Sequence, residues 1–383
     1  MTCPAHARPM GTPPRDAIGP ALCAYLDAVR FGAAMLVVLH HWLVVARIPG
    51  WGWLRVGDDA VMVFFALSGF VIAHTAATKD RDIASFAFNR ATRVYSVAVP
   101  AVAVTFLIDA LVHGRLPSAR QAAAALTFTT DQWFATVETW SNFPWWSLSY
   151  EVWYYAAFAC LFYLRGWRRA LGIAAVVLIA GPRLLLLAPA WFAGVAAYRA
   201  ATARPMDRSA AWCAALLPPA AYLVLKSTIA YPVLAGAPAA LLGPEASLSL
   251  LSYARAFPWQ ITLAMLAAVN IVGVASLRRG NPAGPRGVGW LAGAGFSIYL
   301  MHVPFLELFG TLIGGSGAVL ALTLAACFLF AACFERPLPA VRSSLLWAWH
   351  RHRAGRGVAP AMVPLFAAPG AARPTVPRVP GFR

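Results

Sequence analysis

Charge is what this chain has least of. Of its 383 residues only 12% are charged, roughly half the share of a soluble domain, while 60% are hydrophobic. An ordinary soluble domain is thereby excluded. Acids are scarcer than bases, 14 against 31, and lysine occurs only at Lys79 and Lys226. Metal-ligand spacing is missing too. The six cysteines make no CxxC and no Cys/His cluster, so no metal is expected. Cys160, Cys213, Cys327 and Cys333 fall in apolar runs and read as small buried hydrophobes, with Cys3 and Cys23 near the start. No internal repeat stands out. No A-x-A cleavage site follows the first apolar segment, which therefore reads as a retained helix.

What is present is hydrophobic length. The runs predict helices near 22–46, 60–77, 94–112, 146–164, 170–187, 189–200, 210–226, 258–277, 288–309 and 315–335. Several reach the roughly 20 residues that a bilayer crossing needs. The fold class is therefore all-α and polytopic, with about 10 transmembrane helices and both termini cytoplasmic. Gly181-Pro182-Arg183 interrupts the fifth and sixth helices, where one re-entrant hairpin is the alternative. With this topology each inner loop is richer in Arg and Lys than its outer neighbours. The net charge of +17 is then a topology signal, and no nucleic-acid partner is implied. Residues 1–21 read as a flexible segment, 22–337 as the transmembrane domain, and 338–383 as an Arg/Pro-rich disordered cytoplasmic tail. The expected place is the inner (cytoplasmic) membrane. Ala- and Arg-rich, Lys-poor usage points to a GC-rich bacterial genome.

Ionisable residues inside a span are costly and mark functional sites by default. In LDAVRFGAAMLVVLHHW, Arg30 and His41 stand eleven residues apart. That is about 20° from three full turns, so they share one face about 16 Å apart along the axis. Asp27 sits one turn before Arg30, within pairing reach, and His40 points about 80° away. A snorkelling arginine with interface histidines would leave the same pattern. Ser68-Gly69 in the second helix reads as a close-packing pair. Arg90 and Arg93 share a face at the inner end of the third helix. They read either as positive-inside residues or as a fork for phosphate. Ser147 and Glu151 share a face among aromatics, and Tyr299 and His302 share one in FSIYLMHVPF. Glu335 in FERP reads as one half of a Glu–Arg pair or as part of a site.

Taken together, these stretches resemble the polytopic acyltransferase-3 family, which includes O-acetyltransferases of bacterial polysaccharides, peptidoglycan, nodulation factors and macrolides. The resemblance rests on Arg30-x10-His41, VFFALSGFVI, RATR, WSLSYE, FSIYLMHVPF and FERP, in that order over residues 24–337. Two departures touch fine geometry: Val152 follows Glu151 where a second acid is common, and Met301 and Val303 flank His302 where tryptophans are common. The resemblance implies transfer of an acyl group, most commonly acetyl, from cytoplasmic acyl-coenzyme A to a hydroxyl of a carbohydrate or glycosylated acceptor. It implies His41 as base or transient acyl carrier, oriented by Asp27 and Arg30, with Glu151 and His302 completing the polar core. It implies Arg90 and Arg93 at the polyanionic end of the donor, whose pantetheine arm runs beside Arg30. The lipid bilayer is the remaining expected partner. A transporter or flippase for a glycan or acyl group is the alternative, disfavoured by the lack of an inverted repeat. The outer loops 113–144 and 227–257 are the expected specificity regions.

Overall fold

The computed structural model describes residues 19–46, 56–203, 206–277, 286–314 and 317–354. A large helical unit runs to Leu338, and a second unit begins at Pro339. The first helix, α1 (Pro20–Val45), starts on a proline whose missing N–H would have no intrahelical partner. Next, α2 (Gly57–Thr78) carries Asp58 and Asp59 in its first turn, at the positive end of its dipole. Then α3 (Ile83–His113) opens well before the expected position 94. The cause is a reciprocal capping box: Ser85 N donates to Asp82 Oδ1 at 2.8 Å while Asp82 N donates to Ser85 Oγ at 3.3 Å. Gly114, at φ 63°, ends α3 in the left-handed conformation.

The chain between α3 and the next long helix is not a bare loop. It holds α4 (Ala119–Leu126), a hairpin of β1 (Asp131–Gln132) on β2 (Ala135–Thr136), and a 3-10 turn at Trp140–Asn142. Then follow α5 (Trp145–Tyr163) and α6 (Gly166–Ala203). Gly181 breaks α6 at φ 75° and ψ 178°, a conformation open essentially to glycine alone. Before the break Gly172 packs against Cys160 near the end of α5. After it, Tyr154 donates to the Leu184 carbonyl at 2.7 Å and Trp191 packs on Phe158. The two arms thus run along α5 in opposite senses, and the boundary expected near 188 lies at Gly181. Arg183 clamps this reversal, donating to Asp131 Oδ1 at 2.7 Å and to the Leu250 carbonyl at 2.9 Å.

The remainder comprises α7 (Arg208–Ser227), α8 (Ala230–Leu242), α9 (Pro244–Leu251), α10 (Phe257–Leu277), α11 (Arg286–Ala292), α12 (Gly295–Ile313) and α13 (Gly317–Phe330). A π-helical turn, Ala331–Glu335, follows α13. The helix expected over 288–309 is two, parted at Gly293-Ala294. All but the first residue of α14 (Leu338–Ala354) belong to the second unit, and this stretch is helical where a disordered tail was expected to begin at 338; Arg351 lies over the Trp347 ring at 4.4 Å. Residues 1–18 and 355–383 fall outside the described residues.

Eight stretches among the described residues are long and apolar enough to cross a membrane. The number differs from ten because α5, loaded with Ser147, Ser149 and Glu151, is not among them, and broken α6 counts once. Large apolar side chains such as Leu107, Leu111, Leu216, Leu223 and Leu329 face outward, while Trp145, Trp191 and Trp259 are fully buried. That distribution suits a lipid surround. Of the four cysteines in apolar runs, Cys327 is buried, Cys160 half-buried, and Cys213 and Cys333 exposed, so the expected burial holds for one.

Two local details position the site. Gly69 of α2 meets the Trp191 backbone of α6, and Gly194 meets the Ala66 backbone; a Cβ at either position would collide with a carbonyl oxygen. In α12, Pro304 has no N–H for the Leu300 carbonyl one turn back. Asn142 Nδ2 supplies that hydrogen bond instead, at 2.9 Å.

Candidate active site

The polar side chains singled out along the sequence gather into two connected sets inside the bundle. The first surrounds a cavity walled by Arg30, Ser68, Arg93, Glu151, Tyr155 and Tyr299, among apolar neighbours such as Phe64 and Phe65. On α1, Arg30 Nη1 donates to Asp27 Oδ1 at 3.0 Å, the expected one-turn pair. On α3, Arg93 Nη2 donates to Glu335 Oε1 at 2.7 Å, and Glu335 Oε2 accepts the Ser297 N–H at 2.8 Å. The acid of FERP therefore binds α3 to the first turn of α12. On α5, Glu151 Oε1 accepts from Ser68 and, at 2.5 Å, from Tyr155. Gly69 alone has the packing role expected of the Ser68-Gly69 pair; Ser68 turns toward the carboxylate.

Arg90 is separate. It is buried, 3.5 Å from Asp80 Oδ2, and over the Phe86 ring, and it is not among the residues that wall the cavity. Asn89 holds the other Asp80 oxygen at 2.7 Å. Of the two arginines expected at the donor's polyanionic end, Arg93 alone reaches the cavity.

The second set is a pair of imidazoles. His41 Nδ1 lies 2.8 Å from His302 Nε2, joining α1 to α12. His302 Nδ1 lies 2.7 Å from the Tyr299 carbonyl oxygen and 3.1 Å from that of Ile298. Carbonyl oxygens only accept, so His302 Nδ1 carries the hydrogen and, in the neutral ring, Nε2 offers a lone pair. His41 must then donate from Nδ1, which leaves its Nε2 as an unprotonated acceptor. His302 is fully buried, whereas His41 is half-buried between Phe143 and His40, at centroid distances of 5.0 and 4.9 Å. His40 packs under Gly57. The Tyr299 ring, 5.9 Å from His302, also walls the cavity, so one residue touches both sets. Its hydroxyl lies 2.6 Å from Ser147 Oγ and donates to the Pro144 carbonyl at 3.1 Å.

Helical arithmetic on α1 brings Asp27 to Arg30, but the meeting of His41 with His302 spans 261 residues and needed the fold. Tyr155 escaped the sequence reading. Its signal was available, because Glu151 and Tyr155 stand one turn apart.

A helical, multi-pass membrane protein whose bundle encloses a basic-walled cavity beside a histidine pair is the class defined by this fold and site. A family model described as an acyltransferase domain matches residues 24–334, and the chain belongs to that family. It is similar to an O-acetyl transferase of Shigella phage Sf6, at 32% identity over 85 residues, covering 21% of this chain and 25% of the relative. It is also similar to the acyltransferase MdmB of Streptomyces mycarofaciens, at 32% identity over 179 residues, covering 43% of each. The chain thus spans less than half the length of either curated relative. No solved structure matches it.

Proposed function

We propose that the protein is an O-acyltransferase of the bacterial inner membrane, moving an acyl group, acetyl first among them, from acyl-coenzyme A to an alcohol. The observation that carries this reading is the hydrogen-bonded chain from the Tyr299 carbonyl through His302 to His41 Nδ1, which assigns a free lone pair to His41 Nε2. That lone pair is what an alcohol needs to become a nucleophile at neutral pH. As the acceptor oxygen attacks the thioester carbonyl carbon, its proton passes to His41 Nε2. The imidazolium that forms keeps its Nδ1–H on His302. Collapse of the tetrahedral intermediate breaks the C–S bond, and the Nε2 proton leaves with the coenzyme A thiolate as a thiol. The charge on His41 is neutral before and after, so the pair resets each turnover.

The donor fits the cavity by chemistry. Arg93 and Arg30 give its wall two cations, and guanidinium groups favour phosphate and carbonyl oxygens. Each holds a carboxylate of its own, so the donor shares those cations with Glu335 and Asp27. Glu151, fixed by Ser68 and Tyr155, serves as an acceptor for donor amides or an acceptor hydroxyl. Cytoplasmic termini and an outward-facing glycan or glycosylated acceptor complete the reading.

Membranes carrying the chain, given radiolabelled acetyl-coenzyme A and a panel of glycan acceptors, are expected to yield an alkali-labile acetyl ester. His41→Ala, at equal membrane abundance, removes it. Movement of an unmodified glycan across vesicles without label transfer would replace the enzyme by a transporter.

A further inference from the structure

Asp109 is a buried carboxylate that the chemistry above leaves unused. It sits in the last turns of α3, has no exposed surface, and neither oxygen has a hydrogen-bond partner among the described residues. Ser141 stands beside it, and its hydroxyl and N–H approach the carboxyl closely enough to act on its charge, but neither approach meets full hydrogen-bond geometry. A carboxylate so weakly compensated inside a membrane bundle is costly, so a site that keeps one has something to hold with it. One donor atom each from Asp109, His113 and Glu307 lie within 4.8 Å of one another. Asp109 and His113 share a face of α3 one turn apart, and Glu307 reaches in from α12. His113 Nε2 already lies 2.9 Å from Glu307 Oε2.

We propose that Asp109, His113 and Glu307 form a binding site for a divalent transition metal, with Zn²⁺ the fitting ion. One imidazole and two carboxylates make a three-ligand set that leaves a position for water. Ca²⁺ and Mg²⁺ prefer all-oxygen shells. Donors on one tetrahedral zinc ion at about 2.1 Å stand about 3.4 Å apart, so the widest pair has to close by roughly 1 Å or more. Burial fixes Asp109, but the His113 and Glu307 side chains are 38% and 27% exposed and free to do so. On binding, the ion replaces any proton on His113 Nε2, which passes to solvent. The ion would fasten α3 to α12 beyond His302. The site stands whether or not the chain transfers acyl groups.

The test uses the full chain in detergent, purified through a histidine-free tag, stripped with a chelator and dialysed. Elemental analysis after Zn²⁺ is returned is expected to find about one equivalent more in the wild type than in Asp109→Asn. Zn²⁺ in excess of its Kd should raise the wild-type Tm by about 4 °C or more, and Mg²⁺ should not. Asp109→Asn keeps the shape and removes the unpaired charge, so metal-free it melts no lower than stripped wild type. Equal zinc content in the two proteins, or no Zn²⁺-dependent shift in the wild type, overturns the site.

Discussion

Arg30 and Arg93 at the cavity, and Arg90 apart from it, each meet a carboxylate, Asp27, Glu335 and Asp80 in turn. A short way along α12, His41 and His302 meet each other with no acid bonded to either among the described hydrogen bonds. The first set is built of opposite charges that cancel, and the second of neutral rings ordered by who donates. Breaking a member of the first leaves a buried charge without its counterpart, which threatens the fold. Breaking a member of the second leaves no stranded charge. What is lost there is the direction of a proton.

The largest effect expected from that contrast is on rate. His41→Ala should lower acyl transfer about 10²- to 10⁴-fold while the melting temperature in detergent stays near the wild-type value. His302→Ala should cost less, about 10²-fold, because His41 keeps its ring and loses only the partner that selects its tautomer. Equal loss of stability and of rate in these variants would erase the distinction between the sets. Next comes Arg93→Ala, expected to destabilise by about 3–5 kcal/mol in thermal or denaturant unfolding, since Glu335 is then buried and unpaired. Adding Glu335→Gln to it should recover part of that loss. No recovery would show that the pair is not the main tie.

The smallest effect is expected where a charge belongs to neither set. Asp207 caps α7 from outside the spans, accepting from Ala210 N at 2.9 Å and from Ser209 Oγ at 2.6 Å. Those hydrogen bonds hold its carboxyl below the usual range. A lowered folded-state pKa means the cap's contribution is complete above the unfolded value. It is lost as pH falls through the folded one. Asp207→Ala should lower Tm slightly at pH 7 and not at all well below the ordinary aspartate range, read by melting across pH.

Much of this was legible because it was local. The Asp27–Arg30 pair follows from helix periodicity, and the order of motifs carried the family resemblance. The capping box that lengthens α3 was also local, in Asp82 and Ser85, but the apolar count from 94 onward hid it. What stayed hidden was contact between distant segments. Ser68 and Gly69 look alike as small residues, and only the approach of α6 and α5 separates a packing glycine from a serine bonded to Glu151. Arg90 and Arg93 look alike as a fork, and only the path of α12 and the π turn gives Arg93 the cavity. The pairing of His41 with His302 is of the same kind.

The Asn142 amide answers a hydrogen that Pro304 cannot supply. The value of one residue is therefore conditional on the other, across a long separation in the sequence. Asn142→Ala is harmful while proline stands at 304, and it loses part of its penalty when an alanine there restores the helix's own bond, the hydrogen bond from Asn142 to Thr105 being lost in either case. The two positions form an epistatic pair, and a lineage that replaces Pro304 loosens one of the two constraints on the residue at 142.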